Sequence, residues 1–341
     1  MDEIHSAGIA LAGLLQEQFQ SSEKFWLWLT YLGDPGTIFL IYFPLSYYLQ
    51  HRLGVTVLWI ALLSEWLNLV FKWLLFGERP FWWIHESGKY DGLNLTQFPS
   101  TCETGPGSPS GHCMITGAAL WPVVMYFNSR LPKRTLQSLV PVLLYTLLIV
   151  GVAISRILIL AHFPHQVLAG IITGVCLGHS LQRTVPGEDR GFQYFALVSL
   201  MLLLAALLLH FLMNVFGMDL SWSISLATKW CAKPEWIRLE SRPFSSITRS
   251  AGNALGLGFA LHCPLYRTLR MEPSGCRRKN VSLVLSFLFL SVLHNLPLHT
   301  SSHLLFYSLN FLRHILCPLA VMILAPYVVQ CLTSDSACKR D

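Results

Sequence analysis

Charge is scarce in this 341-residue chain: only 12% of positions are Asp, Glu, Lys or Arg, against 53% hydrophobic. A soluble domain carries about 25% charged residues to cover its surface. With half that supply and a mean hydropathy of +0.50, most of the chain must be covered by lipid instead. No polar stretch of domain size is present, which leaves residues 1–341 as a single membrane domain. The nine cysteines include no CxxC pair and no Cys/His spacing suited to a metal, so buried thiols are the default expectation. Cys102 and Cys231, in polar loops, could pair in an oxidising lumen. A cleavable signal is not expected either, because the first twenty residues carry Asp2 and Glu3 but no Lys or Arg. Basic residues form no stripe: the net charge of +6 is dispersed between apolar runs, which argues against a nucleic-acid partner. No internal repeat or heptad seam stands out.

What the chain does have is apolar runs long enough to cross a bilayer, about twenty residues each as helix. They fall near 25–47, 54–75, 113–129, 137–158, 164–182, 192–214, 251–266, 281–298 and 304–332. The expected fold is therefore all-α and polytopic, with about nine transmembrane helices. The seventh run is the weakest, being short and glycine-rich (Gly252, Gly256, Gly258), and the first contains Gly33-Asp34-Pro35-Gly36, which should kink it or seat it against a polar cavity. Arg52, Arg130, Arg183, Arg267, Arg270 and Lys279 fall in connections on one side of a nine-span chain, which marks that side as cytoplasmic. Residues 1–24, loop 76–112 and loop 215–250 then face the lumen, and the tail 333–341 the cytoplasm. Loop 215–250 is itself basic, but long loops obey the rule poorly.

Three segments on the expected lumenal side carry chemistry. Lys72 and Arg79 flank the end of the second span, Ser110-Gly111-His112 opens the third, and Arg156 and His162 lie between the fourth and fifth. A reacting phosphoryl group spreads negative charge over its equatorial oxygens, and fixed cations stabilise it in a water-poor site. Arg79 and Arg156 offer planar forks, and Lys72 a point charge. Ser110 and Gly111 stand at a helix N-terminus, which favours an anion. Of two histidines, a neutral one can attack phosphorus and a protonated one can protonate the leaving oxygen.

The three segments resemble the K-x6-RP, PSGH and SR-x5-H motifs of the type-2 phosphatidate phosphatase and haloperoxidase superfamily. Six residues separate Lys72 from Arg79 and five separate Arg156 from His162, as in those motifs. Many members place Asp four residues after the second histidine to orient its ring. Here Gln166 holds that place, able to accept an imidazole N–H but without charge, and His165 becomes a minor rival nucleophile.

From about residue 25 to 330 the chain is similar to the glucose-6-phosphatase catalytic subunit family. The segments that carry this are Glu65–Trp73, Cys102–His112 and Ala161–Gln166, and Gln166 is typical of that family. Trp83–Gly88, Cys113–Trp121 and Leu220–Ser225 look closest to its ubiquitous third branch. The resemblance implies a phosphatidate-phosphatase-like helical core, residence in the endoplasmic reticulum membrane, a lumenal site, and metal-independent hydrolysis of glucose 6-phosphate with no cofactor. It also implies His162 as nucleophile, His112 as proton donor, and Lys72, Arg79, Arg156, Ser110 and Gly111 as phosphate ligands. Expected partners are a sugar phosphate, membrane lipid and a glucose-6-phosphate transporter feeding the lumen. The rival readings are a lipid phosphatase of the same superfamily, which needs a lateral opening, and a sugar-phosphate transporter, which needs a comparable constellation on the other face.

Other residues have blander readings. Glu65, inside a span, should face protein in a structural role. His299, His303 and His314 read as interfacial. Trp82-Trp83 reads as an interfacial belt or part of a sugar pocket. Asn94-Leu-Thr96 is a candidate glycosylation site in the lumenal loop, whereas Asn280-Val-Ser282 falls on the cytoplasmic side and should go unused.

Overall fold

A computed structural model of the chain describes residues 1–90, 92–93, 95–132, 136–187, 189–237, 243–271, 275–298 and 302–338, and every regular element among them is helical. In chain order these are α1 (Asp2–Gln18), α2 (Glu23–Leu32), α3 (Pro35–Thr37), α4 (Phe43–Leu49), α5 (His51–Leu75), α6 (Pro80–Glu86), α7 (Gly111–Asn128) and α8 (Val140–Leu158). There follow α9 (Pro164–Leu181), α10 (Phe192–Val215), α11 (Trp222–Trp230), α12 (Pro243–His262), α13 (Pro264–Met271), α14 (Cys276–Asn295), α15 (His303–Leu319) and α16 (Ala325–Cys338).

Four stretches are long and apolar enough by length and composition to cross a membrane: His51–Glu86, Leu136–Leu158, Phe192–Val215 and His303–Thr333. The other expected spans coincide with helices that are broken or less apolar. The first is interrupted at Gly33-Asp34, where the Asp34 side chain accepts a 2.7 Å bond from Gly36 N and Pro35 restarts the helix. Others dilute their hydropathy with small and polar residues that they bury against neighbours, as α12 does with Ser245, Ser250 and Asn253.

Small residues set the closest helix contacts. Gly170, Gly174 and Gly178 recur every four residues on one face of α9, and that face meets α7 backbone to backbone. A Cβ on Gly170 would lie 2.7 Å from Ser110 O, and one on Gly174 2.6 Å from Met114 O. The glycines that weakened the seventh run do the same work: a Cβ on Gly252 would stand 2.6 Å from Phe311 O of α15.

Helix α5 is largely buried against α4, α7 and α12, whereas α8 and α10 turn much of their surface outward. On the motif side, α1, α6 and α11 cover the bundle. Their cluster includes Ile9, Trp82, Trp83, Phe163 and Ala227. The tryptophan pair is thus packed core rather than an interfacial belt: Trp82 is fully buried, its indole N–H bonded to the Glu78 carboxylate, and its ring stands 5.9 Å from that of Trp222. Helix α1 is tied down by Gln16, whose amide donates to Thr96 O (2.9 Å) and Leu158 O (2.8 Å). Cys102 and Cys231 form a disulfide. Of the free cysteines, Cys113 and Cys317 are buried, but Cys176, Cys276 and Cys331 are exposed on helix surfaces, against the default expectation.

Candidate active site

Each motif is bent toward the others by local backbone geometry. After α5 the chain turns at Phe76 and Gly77, both at positive φ (57° and 82°), and Gly107 N bonds to Gly77 O at 2.8 Å. This sets the first motif beside the loop that leads to α7. Just past the end of α8, Leu160 stands at φ 61°, an uncommon conformation for a residue with a Cβ. The reversal lets Ala161 N and His162 N both reach Arg156 O, at 3.1 and 3.2 Å. Arg156 and His162 are thereby folded onto one another.

Gln166 joins all three motifs. Its amide N–H donates to Glu78 O at 2.6 Å, its carbonyl accepts from Phe163 N at 3.1 Å, and its backbone carbonyl accepts from Ser110 N at 3.1 Å. The carbonyl oxygen is 3.4 Å from His162 Nδ1, but the nearer acceptor is Gly107 O at 2.8 Å. The orienting acceptor is therefore a backbone carbonyl of the second motif, with Gln166 as an auxiliary. With Nδ1 donating, the lone pair of Nε2 is left facing Arg79, whose Nη1 lies 3.5 Å away. Burial first, then the guanidinium groups of Arg79 and Arg156, hold the imidazole of His162 well below its usual pKa, so it is neutral.

Arg79 is fully buried and almost fully bonded: Nε to Gly105 O (2.7 Å), Nη1 to Ala161 O (3.0 Å), and Nη2 to Pro106 O (3.2 Å) and Glu103 (2.9 Å). Arg156, also fully buried, gives Nη2 to the same Glu103 carboxylate, while its Nε and Nη1 have no partner. Ser110 Oγ is likewise buried and unpartnered. Lys72, on the last turn of α5, directs its charge at Glu103. Gly111 and His112 occupy the first turn of α7, whose N–H groups have no intrahelical acceptor. His112 lies between two carboxylates, with Nδ1 3.7 Å from Glu103 and Nε2 3.7 Å from Asp34.

All seven residues expected from the sequence thus converge, and the structure adds three groups. Glu103 bridges both arginines. Burial alone would raise its pKa, but Arg156, Arg79, His112 and Lys72 hold it well below the usual carboxylate range. Asp34 faces His112, and Gly107 O orients His162. Glu103 had a signal in the sequence, as the one charged residue in the Gly- and Pro-rich loop before His112. The loop around it is pinned: Thr101 Oγ1 donates to Ile159 O (2.6 Å), Ser223 Oγ donates to Thr104 O (2.9 Å), and Cys102 is held by Cys231.

The remaining residues sit elsewhere. His165 stacks with His5 and Phe163 against α1, at ring distances of 5.5 and 5.8 Å, and is no rival to His162 in position. Glu65 pairs with Arg249 (Nε to Oε1, 2.7 Å) and Ser250 (3.2 Å), the structural role expected of it. His314 is not interfacial: it is buried between α15 and α12 beside Asn253, because the polar face of α12 offers it partners. His303 is exposed, and His299 and Asn94 lie outside the described residues. Among the described residues, no group of three His, Cys, Asp or Glu is placed to hold a metal ion.

Comparison with known proteins identifies the family to which the chain belongs. The PAP2 superfamily model matches residues 53–189, the stretch containing all three motifs. Glucose-6-phosphatase 3 of Bos taurus and of Homo sapiens are each 50% identical to the chain, over 99% of it and 98% of their own length. Glucose-6-phosphatase 2 of Mus musculus is 36% identical over 97% of the chain and 98% of its own. No solved structure matches. A membrane-embedded helical chain with this constellation, and with relatives at such identity over nearly its whole length, belongs to the glucose-6-phosphatase family of the PAP2 superfamily.

Proposed function

We propose that the chain hydrolyses glucose 6-phosphate, or a close hexose 6-phosphate, through a phosphohistidine intermediate. The observation that carries this reading is a set of buried donors with nothing to donate to. Arg156 Nε and Nη1 and Ser110 Oγ are buried and unpartnered beside a neutral histidine. Buried polar groups are rarely left unsatisfied, and three such atoms converging beside the histidine are explained by an anionic ligand. These donors, with Lys72 and the first turn of α7, suit the oxygens of a phosphate, while Glu103 keeps the two guanidinium groups in place.

In the reaction, His162 Nε2 attacks phosphorus as the bond from phosphorus to the sugar O6 breaks, and His112 protonates the departing oxygen. Water then attacks the phosphohistidine, giving its proton to His112, and phosphate leaves. Three cations, Lys72, Arg79 and Arg156, spread over the equatorial oxygens, and this charge stabilisation supports hydrolysis without a metal.

We further propose that the site faces the lumen of the endoplasmic reticulum. The basic connections on the opposite side support this, and substrate would then reach the site through a sugar-phosphate transporter. Glycosylation at Asn94 belongs to the same reading. A lipid substrate is the other enzymatic possibility. The cover of α1, α6 and α11 over the motif side favours a soluble sugar over a lipid entering laterally.

Purified protein in detergent, offered a panel of sugar phosphates and phosphatidate, should release phosphate fastest from glucose 6-phosphate and keep its activity after dialysis against chelator. Preference for phosphatidate, or loss of activity restored by magnesium or zinc, would overturn the proposal. In sealed microsomes, protease should spare loop 76–112, and deglycosylation should shift the mass at Asn94.

A further inference from the structure

The break in the first span, singled out in the sequence, supplies no phosphate ligand. It places Asp34 beside the proton donor. Asp34 Oδ1 is committed to Gly36 N, at 2.7 Å, while Oδ2 faces His112 Nε2 at 3.7 Å. The other ring nitrogen, Nδ1, faces Glu103, the carboxylate that bridges the two arginines. This approach is fixed from both sides. Thr116 Oγ1, one turn beyond His112 on α7, donates to Gly33 O at 2.9 Å, and Thr37 Oγ1 donates to Tyr31 O at 2.7 Å across the break. Gly33 itself is pressed on Val152 of α8, where a Cβ would lie within 2.8 Å of a Val152 methyl. The interruption of the helix is therefore registered against the helix that carries His112, and its carboxylate is half exposed.

We propose that Asp34 is the positioning residue of the proton donor: it holds His112 through Nε2, so that Nδ1 presents the proton to the leaving oxygen. This rests on the phosphohistidine reading above and assigns the nitrogen used. As the bond from phosphorus to the sugar oxygen breaks, the proton moves from His112 Nδ1 to that oxygen, leaving a neutral imidazole. In the second half-reaction the water that attacks the phosphohistidine gives its proton back to Nδ1. The Asp34 carboxylate beside Nε2 favours the imidazolium form of the donor. The charged groups facing His112 are Arg156, Glu103, Asp34 and Lys72; Asp34 lies on the span-one break, apart from the cation cluster.

A basic alkoxide needs this proton, and nitrophenolate does not, so the leaving group separates the donor from the rest of the machinery. Asp34→Asn and Asp34→Ser both retain a helix-capping side chain without the charge. Each should slow glucose 6-phosphate turnover by about 10- to 100-fold and p-nitrophenyl phosphate turnover by less than about threefold. The alkaline limb of kcat for the sugar phosphate should move to lower pH, and Asp34→Glu should restore part of the rate. Equal losses on both substrates with an unmoved pH profile would make Asp34 a structural cap. A rise confined to KM for the sugar phosphate would make it a sugar contact; either result overturns the proposal. His112→Ala, measured in parallel, keeps the two readings apart. If His112→Ala discriminates between the substrates and the Asp34 variants do not, only the positioning role falls. If His112→Ala does not discriminate, the donor assignment falls and the positioning role with it.

Discussion

Among the described residues, Glu65, fully buried, and Glu103, partly buried, each sit against arginine, and they are arranged in opposite ways. Glu65 meets one arginine, Arg249, and a serine, Ser250, in the bundle between α5 and α12. Glu103 meets two arginines, with Lys72 and His112 also facing it, and one of those arginines keeps two N–H-bearing nitrogens unbonded. The first pair is balanced and holds helices together. The second has surplus positive charge and surplus donors, which is costly in an empty site and useful only when an anion arrives. Balance marks a structural pair, and deliberate imbalance marks a binding site.

The sharpest way to break this contrast is to remove the nucleophile. His162→Ala should lower turnover by about 10⁴-fold or more with every substrate, because no other group in reach replaces the covalent path. In rapid-quench experiments with radiolabelled p-nitrophenyl phosphate, acid-labile label should persist in His112→Ala and be absent in His162→Ala. Label in both would remove His162 from its role.

Next in size is a paired test of the two arginine clusters. Arg156→Ala should reduce kcat/KM by about 10²- to 10³-fold and weaken vanadate inhibition in step, since vanadate imitates the trigonal bipyramidal transition state. Its melting temperature should change little. Glu65→Gln should do the reverse, destabilising the fold by about 3–5 kcal/mol through the stranded Arg249 while leaving turnover per folded molecule intact. If Arg156→Ala acted only on abundance, the imbalance described above would have no functional meaning.

Smaller still is the effect of freeing the loop that carries Glu103. Cys231→Ser should lower stability by about 2–5 kcal/mol, with the loss measured by thermal melting under non-reducing conditions. The rate should fall less than in Arg156→Ala, because the Thr101 and Ser223 bonds still hold the same loop.

The mildest effect is on pH dependence. His162 and Glu103 both have folded pKa values below their ordinary ones of 6.5 and 4.5. For each, the unfolded chain takes up a proton first, so the stabilisation is complete above the ordinary value and is lost as pH falls toward the folded one. The melting temperature in detergent should therefore begin to fall below about pH 6.5 and fall more steeply below about pH 4.5. His162→Asn should flatten the upper part of that decline; an unchanged curve would mean that His162 is not buried neutral.

Lys72, Arg79, Ser110, His112, Arg156 and His162, which converge in the structure, were legible in the sequence because they sit in three spaced motifs. The all-helical membrane class was legible from composition. The groups whose roles could not be assigned from the sequence act across the chain rather than along it. Glu103 acquires its role only when two arginines from different motifs meet it. Asp34 reads as a helix breaker until α7 is laid against it, and a backbone carbonyl such as Gly107 O has no letter in a sequence at all. Helix α1 was missed as a cover because it is amphipathic and shorter than a span. His314 was misread because burial between α12 and α15 depends on the partner helix. The span count is the least settled by composition, since helices that bury serine, asparagine and glycine against one another lose the hydropathy that would mark them.

The wiring of Gln166 bears on how such a site can change over time. At first sight it is a weaker stand-in for a carboxylate behind the nucleophile, one substitution away from a stronger one. Its amide N–H, however, is spent on Glu78 O, and its carbonyl on Phe163 N. An acid at this position would set a negative oxygen against the Glu78 carbonyl, parting the first motif from the third while offering His162 a charge that Gly107 O has made unnecessary. The amide and the carboxylate are thus two separate solutions for orienting a histidine, and exchanging one for the other here asks the loops at Glu78 and Phe163 to be rebuilt.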